Sequence, residues 1–313
     1  MPAFRKVVIT GGAGFLGRAL IPELMAAEYA VTVFDNEAVC PLTTATALGA
    51  TPWRGDVRDF DAVLACFSGA DAVIHLAADS RVMDSLENPR FNFENNVVGT
   101  FNVLEACRLQ GVGRLINAST GGAILGEAEP PVHEEMLPRP LAPYGASKLA
   151  AEAYCGAYAS AYGLACASLR FTNIYGPDSL HKRSVVAHFF KAILAGEPLV
   201  VYGDGSQCRD YLYIGDVAKG IVQALEAGVE GTFQLGGGQP TSLNQLIDGM
   251  RAAVGPGHVV EVRYEDFRRG EVRSTWATID KARRAFGFAP TTSLEAGLGR
   301  TWAWYRAQAG RGV

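Results

Sequence analysis

The sequence predicts an α/β protein: a doubly wound parallel sheet followed by a smaller C-terminal α/β lobe. Three observations carry that expectation. Strand-like and helix-like patterns alternate up to about residue 170. The apolar run Val7-Val8-Ile9 stops at a glycine cluster, Gly11-Gly12-Ala13-Gly14-Phe15-Leu16-Gly17, and a helical pattern follows. The next apolar run, Val31-Thr32-Val33-Phe34, ends at Asp35, 18 residues after Gly17.

The first strand, 6–10, is rich in β-branched residues. At its end Gly11 and Gly12 permit a tight turn that a Cβ would obstruct. Gly14 lets backbone approach a pyrophosphate, and Gly17 lets the helix at 15–27 lie close to the sheet. The first N–H groups of that helix, and its positive dipole end, then face phosphates. Pro22 stands inside this helix pattern and marks a candidate kink. Strand 30–34 delivers Asp35, whose carboxylate can accept both ribose hydroxyls of an adenosine and would repel a 2′-phosphate. Asn36 and Glu37 follow where a Lys or Arg would serve a 2′-phosphate, which favours NAD over NADP.

Strands at 50–53, 71–76, 113–118 and 165–170 alternate with helices at 59–67, 90–110 and 143–162. After Phe171 the pattern loosens, and Tyr175-Gly176-Pro177 and Tyr202-Gly203-Asp204-Gly205 are turn-rich. A strand at 210–214 and a helix at 215–227 are expected to return to the main sheet. A helix at 243–254, a strand at 259–264 and helices at 280–286 and 294–307 complete the chain. The organisation expected is a dinucleotide-binding domain over 1–172, with 208–235 returning to it. Residues 173–207 and 236–313 would form a substrate-binding lobe that closes over the crevice where strand order reverses.

Composition narrows the function classes. With 313 residues, 49% hydrophobic and 19% charged, the chain is globular and long enough for a substantial core. A net charge of −4 without a long basic run argues against nucleic acid or an acidic membrane as the main partner. No apolar stretch is long enough to cross a bilayer, and Met1 to Lys6 lead straight into the first strand, so a cytoplasmic location is expected. The six cysteines show no C-x-x-C and are expected as buried free thiols. The five histidines show no metal-ligand spacing; His75, at a strand end, is expected to pack rather than ligate, and no metal is expected.

Two segments carry chemistry. Tyr144 and Lys148 stand four residues apart at the start of a helix and so share a face. A tyrosine has a pKa of ~10, too high for a base at neutral pH, but a nearby ammonium and a positively charged nicotinamide both favour the phenolate. Tyr144 is thus a candidate general base with Lys148 as its tuner. The strand Leu115–Ala118 ends in Ser119 and Thr120, at the edge of the sheet where ligands bind. Either hydroxyl can hydrogen-bond a substrate hydroxyl and pass its proton toward the tyrosine; either can also simply cap the turn.

The ordered set Gly11-x-x-Gly14-x-x-Gly17, Asp35, Gly55-Asp56-Val57, His75-Leu76-Ala77-Ala78, Ser119-Thr120, Tyr144-x-x-x-Lys148, Arg170-Phe171-Thr172-Asn173-x-Tyr175-Gly176-Pro177, Tyr202-Gly203-Asp204-Gly205 and Arg209-Asp210-Tyr211 resembles an extended short-chain dehydrogenase/reductase. Within that family it is similar to the NAD-dependent nucleotide-sugar epimerase/dehydratase group, across essentially the whole chain. The resemblance implies a Rossmann-type sheet. It implies that Gly11, Gly14, Phe15, Leu16 and Gly17 line the NAD pyrophosphate, Asp35 and Asn36 hold the adenosine ribose, and Asp56 and Val57 the adenine. Leu76, Ala77, Ala78 and Asn95 would border the cofactor, with Tyr144 as catalytic base and Lys148 as ribose-binding lysine. Asn173 would touch the sugar-nucleotide phosphate, and Arg209 and Arg268 would grip the diphosphate with guanidinium forks. As an alternative, Arg268 and Arg269 form a solvated surface pair.

The implied reaction is 4-epimerisation of a nucleotide-activated sugar, with UDP-hexose favoured, through a transient 4-keto sugar and with NAD regenerated. Departures from the family pattern shape this reading. Dehydratases of the group carry Thr-Asp-Glu where this chain has Thr120-Gly121-Gly122, so the acid and base that expel water are missing. Counting back from Gly126 places the usual catalytic serine on Gly121, so Thr120, or else Ser119, must substitute. Leu125 replaces a tyrosine and makes one pocket wall apolar. Asp79 and Arg81 are candidates to face the sugar; Arg81 would pair either with a sugar carboxylate or with a surface acid. Small Thr275, beside Trp276, is a candidate to leave room for an N-acetyl group. Decarboxylation, dehydration, reduction and a non-catalytic NAD-binding regulatory role remain alternatives. Apolar residues on several faces of helices 90–110 and 143–162, with the resemblance, imply a homodimer.

Overall fold

The computed structural model describes residues 5–267 and 273–310. Its first part runs β1 (Arg5–Thr10), α1 (Phe15–Ala26), β2 (Tyr29–Asp35), α2 (Thr43–Thr46), β3 (Thr51–Arg54), α3 (Phe60–Cys66) and β4 (Ala72–His75). Next come α4 (Val82–Glu87), α5 (Pro89–Phe93), α6 (Gly99–Gln110), β5 (Arg114–Thr120), α7 (Gly121–Leu125), α8 (Pro143–Tyr162) and β6 (Ala165–Phe171). The remainder is β7 (Asn173–Tyr175), α9 (Val185–Ala195), β8 (Leu199–Tyr202), β9 (Cys208–Arg209), β10 (Tyr211–Tyr213), α10 (Ile214–Ala227), β11 (Gly231–Leu235), β12 (Thr241–Ser242), α11 (Leu243–Val254), β13 (Val262–Glu265), β14 (Ser274–Thr275), α12 (Asp280–Phe286) and α13 (Leu294–Ala309).

Seven strands form one parallel sheet in the order β11-β6-β5-β4-β1-β2-β3. The order reverses between β1 and β4, which opens the crevice where ligands bind in such sheets. Alternation along β1 sends Val7 and Ile9 to one face and Val8 to the other. The first pair packs with Leu20 and Leu24 of α1 and Ile221 and Leu225 of α10. Val8 packs with Val63 of α3, Leu104 of α6 and Tyr158 of α8. Strands buried on both faces explain the near-continuous apolar runs of the sequence. The α1 helix runs unbroken through Pro22.

Two expectations need correction. The strand near 210–214 does not return to the main sheet. As β10 it pairs with β7 in a separate two-stranded sheet, because Asp210 is anchored between Asn173, Gly237 and Ala277. The strand that does return is β11, which pairs with β6. The helix expected over 90–110 keeps a helical backbone throughout but contains a π turn at Glu94–Val98 between α5 and α6.

A second core gathers Phe190 of α9, Leu246 and Met250 of α11, and Trp302 and Tyr305 of α13. By contrast, Ala282 of α12 and Phe288 join the sheet-side core. The loop after β7 reaches back to α1: Arg18 Nη1 lies 3.1 Å from an Asp178 carboxylate oxygen, and Nη2 donates to the Asp178 carbonyl at 2.9 Å. His181 meets the Phe15 ring edge-on, and the Lys182 ammonium sits 5.3 Å from the centre of that ring. No described helix is long and apolar enough to cross a membrane.

Candidate active site

The first strand-to-helix turn is built by close backbone approach. Gly11 has φ +69°, and a Cβ there would lie 2.6 Å from the Ala77 nitrogen. A Cβ on Gly17 would strike the backbone of Gly12. The turn and the residues just after β4, Leu76 and Ala77, are thereby pressed together. The α1 N-terminus has no side-chain cap and no acid in its first turn. Its amides are left for an anionic ligand, which fits a dinucleotide pyrophosphate.

Asp35 ends β2 beside this turn. Its Oδ2 accepts from Ala13 N at 3.1 Å and its Oδ1 from Glu37 N at 2.8 Å. Burial pushes its carboxyl above the usual range, and these backbone bonds oppose that. Asn36 donates to Asp56 Oδ2 at 3.0 Å, and Arg58 holds Asp56 through Nε at 2.9 Å and Nη2 at 2.7 Å. The Arg58 guanidinium keeps the Asp56 carboxyl well below the usual carboxylate range. Val57 is buried, and its carbonyl accepts from Asn102.

His75 is fully buried at the end of β4. Nδ1 lies 2.7 Å from the Thr10 hydroxyl and Nε2 3.0 Å from the Thr100 hydroxyl. Burial, then the Lys148 charge, lower its pKa to about 3, so it serves as a neutral packing link.

The second turn follows β5. Tyr144 stands at the start of α8, where Pro143 occupies the first turn. Burial pushes the Tyr144 phenol up to about 12; hydrogen bonding from Thr120 acts against this, and the Asp79 charge adds to it. Lys148 is buried, donates to the Ala118 carbonyl at 2.9 Å, and is lowered by burial to about 8. Thr120 and Tyr144 are thus brought together, with Lys148 one turn further along the same helix face. Ser119 is not: its hydroxyl donates to Glu152 Oε1 at 2.6 Å. A Cβ on Gly121 would lie 2.5 Å from Gln234 Oε1, whereas one on Gly122 would meet only Thr275 Oγ1, at 3.9 Å.

Asp79 is buried. Its backbone N donates to Asn96 Oδ1 at 2.8 Å, and its carbonyl accepts from Asn92 and Asn96. Asn96 also donates to Ser147, and Ser85 accepts from Tyr144 N, so α4, the π turn and α8 are stitched together at the base of the site. Sequence reasoning singled out Asn95, which is half-buried, and missed its buried neighbour Asn96. Arg81 is occupied by acids: Nε lies 3.3 Å from Asp79 and Nη1 2.6 Å from Asp84.

On the lobe side, Asn173 donates to the Asp210 carbonyl at 3.1 Å. Arg209 Nη1 donates to the carbonyls of Cys208 and Arg273. Thr275 of β14 pairs with Arg209 of β9, and Thr275 is also the side chain facing Gly122. The lobe therefore reaches the second turn through β14. Arg268, the other expected phosphate ligand, and Arg269 lie outside the described residues.

The chain and its fold have relatives among known proteins. A model of the NAD dependent epimerase/dehydratase family matches residues 7–236. The UDP-glucuronate 4-epimerase of Thermodesulfobacterium geofontis is 35% identical over 315 residues, covering 95% of this chain and 95% of that one. The crystal structure of UDP-glucose 4-epimerase from Thermotoga maritima with UDP-glucose superposes with a TM-score of 0.92 at 34% identity, over 97% of this chain and 99% of that one. The UDP-glucose 4-epimerase of Thermus thermophilus, in complex with NAD, gives 0.88 at 36% identity, over 96% and 99%.

Proposed function

The chain belongs to the NAD dependent epimerase/dehydratase family, and on that premise we propose how its residues divide the work. The protein is an NAD-dependent 4-epimerase of a nucleotide-activated hexose, with a UDP-sugar as substrate. When bound, NAD would supply the acceptor for the hydride of the sugar's C4 and the donor for its return. Gly11, Gly14, Phe15, Leu16 and Gly17 hold its pyrophosphate, Asp35 and Asn36 its adenosine ribose, and Asp56 and Val57 its adenine. Leu76, Ala77, Ala78 and Asn95 border it. The domain over 1–172, to which α10 and β11 return, does this holding, and the lobe, which takes in β9 and β10 as well as 173–207 and the chain after 236, holds the nucleotide-sugar.

Tyr144 removes the proton of the 4-hydroxyl as the hydride leaves and returns it after the keto sugar has turned over. Thr120 orients that hydroxyl against the phenol. Lys148 binds the nicotinamide ribose and stabilises the phenolate together with the cofactor's positive charge. Asn173, Arg209 and Arg268 hold the diphosphate. The Thr120–Tyr144 contact at the carboxyl edge of the sheet, with Lys148 on the same helix face, carries this reading. The glycines after Thr120 leave no carboxylate to expel water.

The sugar is a neutral hexose rather than a uronic acid, because Arg81 is already spent on Asp79 and Asp84. The protein acts as a homodimer, since Phe93, Phe101, Tyr154 and Tyr162 leave an exposed aromatic face along α5, α6 and α8. Free cysteines, with Cys66, Cys107, Cys155 and Cys166 buried, suit a reducing cytoplasm.

The test is product analysis by proton NMR and mass spectrometry with UDP-glucose, UDP-N-acetylglucosamine and UDP-glucuronate. Inversion at C4 of UDP-glucose without mass change, lost in Tyr144→Phe while NAD stays bound, is the expected result. Faster turnover of UDP-glucuronate would overturn the neutral-sugar assignment, and loss of water or carbon dioxide would overturn the epimerase.

A further inference from the structure

Behind Tyr144 and Lys148 lies a buried charged group that the epimerisation steps do not use. Tyr144, Lys148 and Glu152 follow at every fourth residue of α8 and share one face. That face is bonded to two successive residues of β5 and lies beside the third. Lys148 bonds the Ala118 carbonyl, Glu152 accepts from Ser119, and Thr120 meets the Tyr144 phenol. Glu152 also accepts from two of the three guanidinium nitrogens of Arg170 from β6, Nε at 2.9 Å and Nη2 at 2.7 Å. The two side chains are only 7% and 4% exposed. Sequestering such a pair costs desolvation of both ions, and an apolar pair of similar volume would serve stability as well. The third nitrogen of Arg170, Nη1, and both amide atoms of its cross-strand neighbour Gln234 have no hydrogen-bond partner among the described residues.

We propose that Glu152, held by Arg170 and Ser119, is a positioning residue for the catalytic pair: it sets the roll of α8 on β5 and presents a negative charge to the Lys148 ammonium. The proposal rests on Tyr144 and Lys148 having the roles given above. Electrostatics supports it. Burial lowers Lys148 to about 8, while Cys155 and Glu152 act to raise it. The other groups facing the pair are His75 of β4, which is neutral, and Asp79, which raises Tyr144. Arg170 approaches from β6 through its bond to Glu152.

The decisive experiment compares Glu152→Gln, Arg170→Gln and the double variant as NAD-loaded proteins. Phenolate absorbance is titrated against pH, with Tyr144→Phe as the blank, and the alkaline limb of kcat/KM is measured beside it. Removing the anion leaves the Arg170 cation uncompensated, so both midpoints fall. The expected shift is about one pH unit for the limb set by Lys148 and a few tenths for the more distant phenol. Removing the cation raises both, and the double variant returns toward the wild type. Damage to packing alone lowers amplitude but does not reverse the sign of a shift. If Glu152→Gln does not fold, Arg170→Gln against the double variant makes the same comparison. Shifts in one direction only, or none in protein that retains NAD, would overturn the proposal. The absorbance titration needs no sugar, so it stands even if none of the offered UDP-sugars is epimerised.

Discussion

Two strand-to-helix turns meet at the carboxyl edge of this sheet, and both are glycine-rich for different reasons. In the turn after β1, glycine is demanded by neighbouring backbone: Gly11 is pressed on Ala77, and Gly17 on Gly12. In the turn after β5, Gly121 is hemmed in by Gln234, but Gly122 faces only Thr275 at ordinary contact distance. The first turn is a packing solution that any dinucleotide would need. The second leaves room beside Thr120, where the mechanism proposed above has the sugar turn over. Glycine in the first reports what the chain must fit against, and in the second what it leaves unfilled.

Substitutions can break this contrast or sharpen it. Gly17→Ala should have the largest effect, because its methyl group meets the backbone of Gly12 rather than a side chain that can move. We expect a loss of about 2–3 kcal/mol in denaturant unfolding and protein purified without NAD. Thr120→Val in the second turn should leave the fold and NAD content intact while kcat falls about 100-fold or more, since only the hydroxyl that meets Tyr144 is lost. A comparable fall in melting temperature would mean that this turn too is chiefly structural. The smallest effect is expected for Gly122→Ala. The added methyl group has space, and alanine is the better helix former by about 1 kcal/mol at most, so stability should hold or rise slightly while KM for the sugar increases.

The same contrast explains what the sequence made legible. The first turn is a local motif: strand, glycines, helix and Asp35 fall within one stretch of chain, and each has a steric or electrostatic signature of its own. Helix α8 was readable to the residue, because Pro143 opens it and Gly163, with φ +69°, closes it. The choice between Ser119 and Thr120 was also present in the strand's alternation. Leu115 and Ser119 point to the α8 side of the sheet, which commits Ser119 to Glu152. Glu152 itself was signalled only by its four-residue step from Lys148. The lobe was harder. Strands β9, β12 and β14 are two residues long, too short for any periodicity, and exist because partners arrive from distant parts of the chain. Helix α9 does carry helical spacing in Val186, Phe189, Phe190 and Ile193, but it follows a turn-rich segment that masked it.

The return of β11 to the edge of the main sheet has a consequence for how the chain is made. A ribosome delivers β1 through β6 early, yet the outer side of β6 stays without its hydrogen-bonding neighbour until residues 231–235 emerge. Phe288, which joins the core on that side, comes later still. During that interval the nascent sheet presents an open parallel edge, the feature through which incomplete chains pair with one another. Synthesis must therefore run past residue 235, and on to Phe288, before the sheet that β1 begins can finish folding.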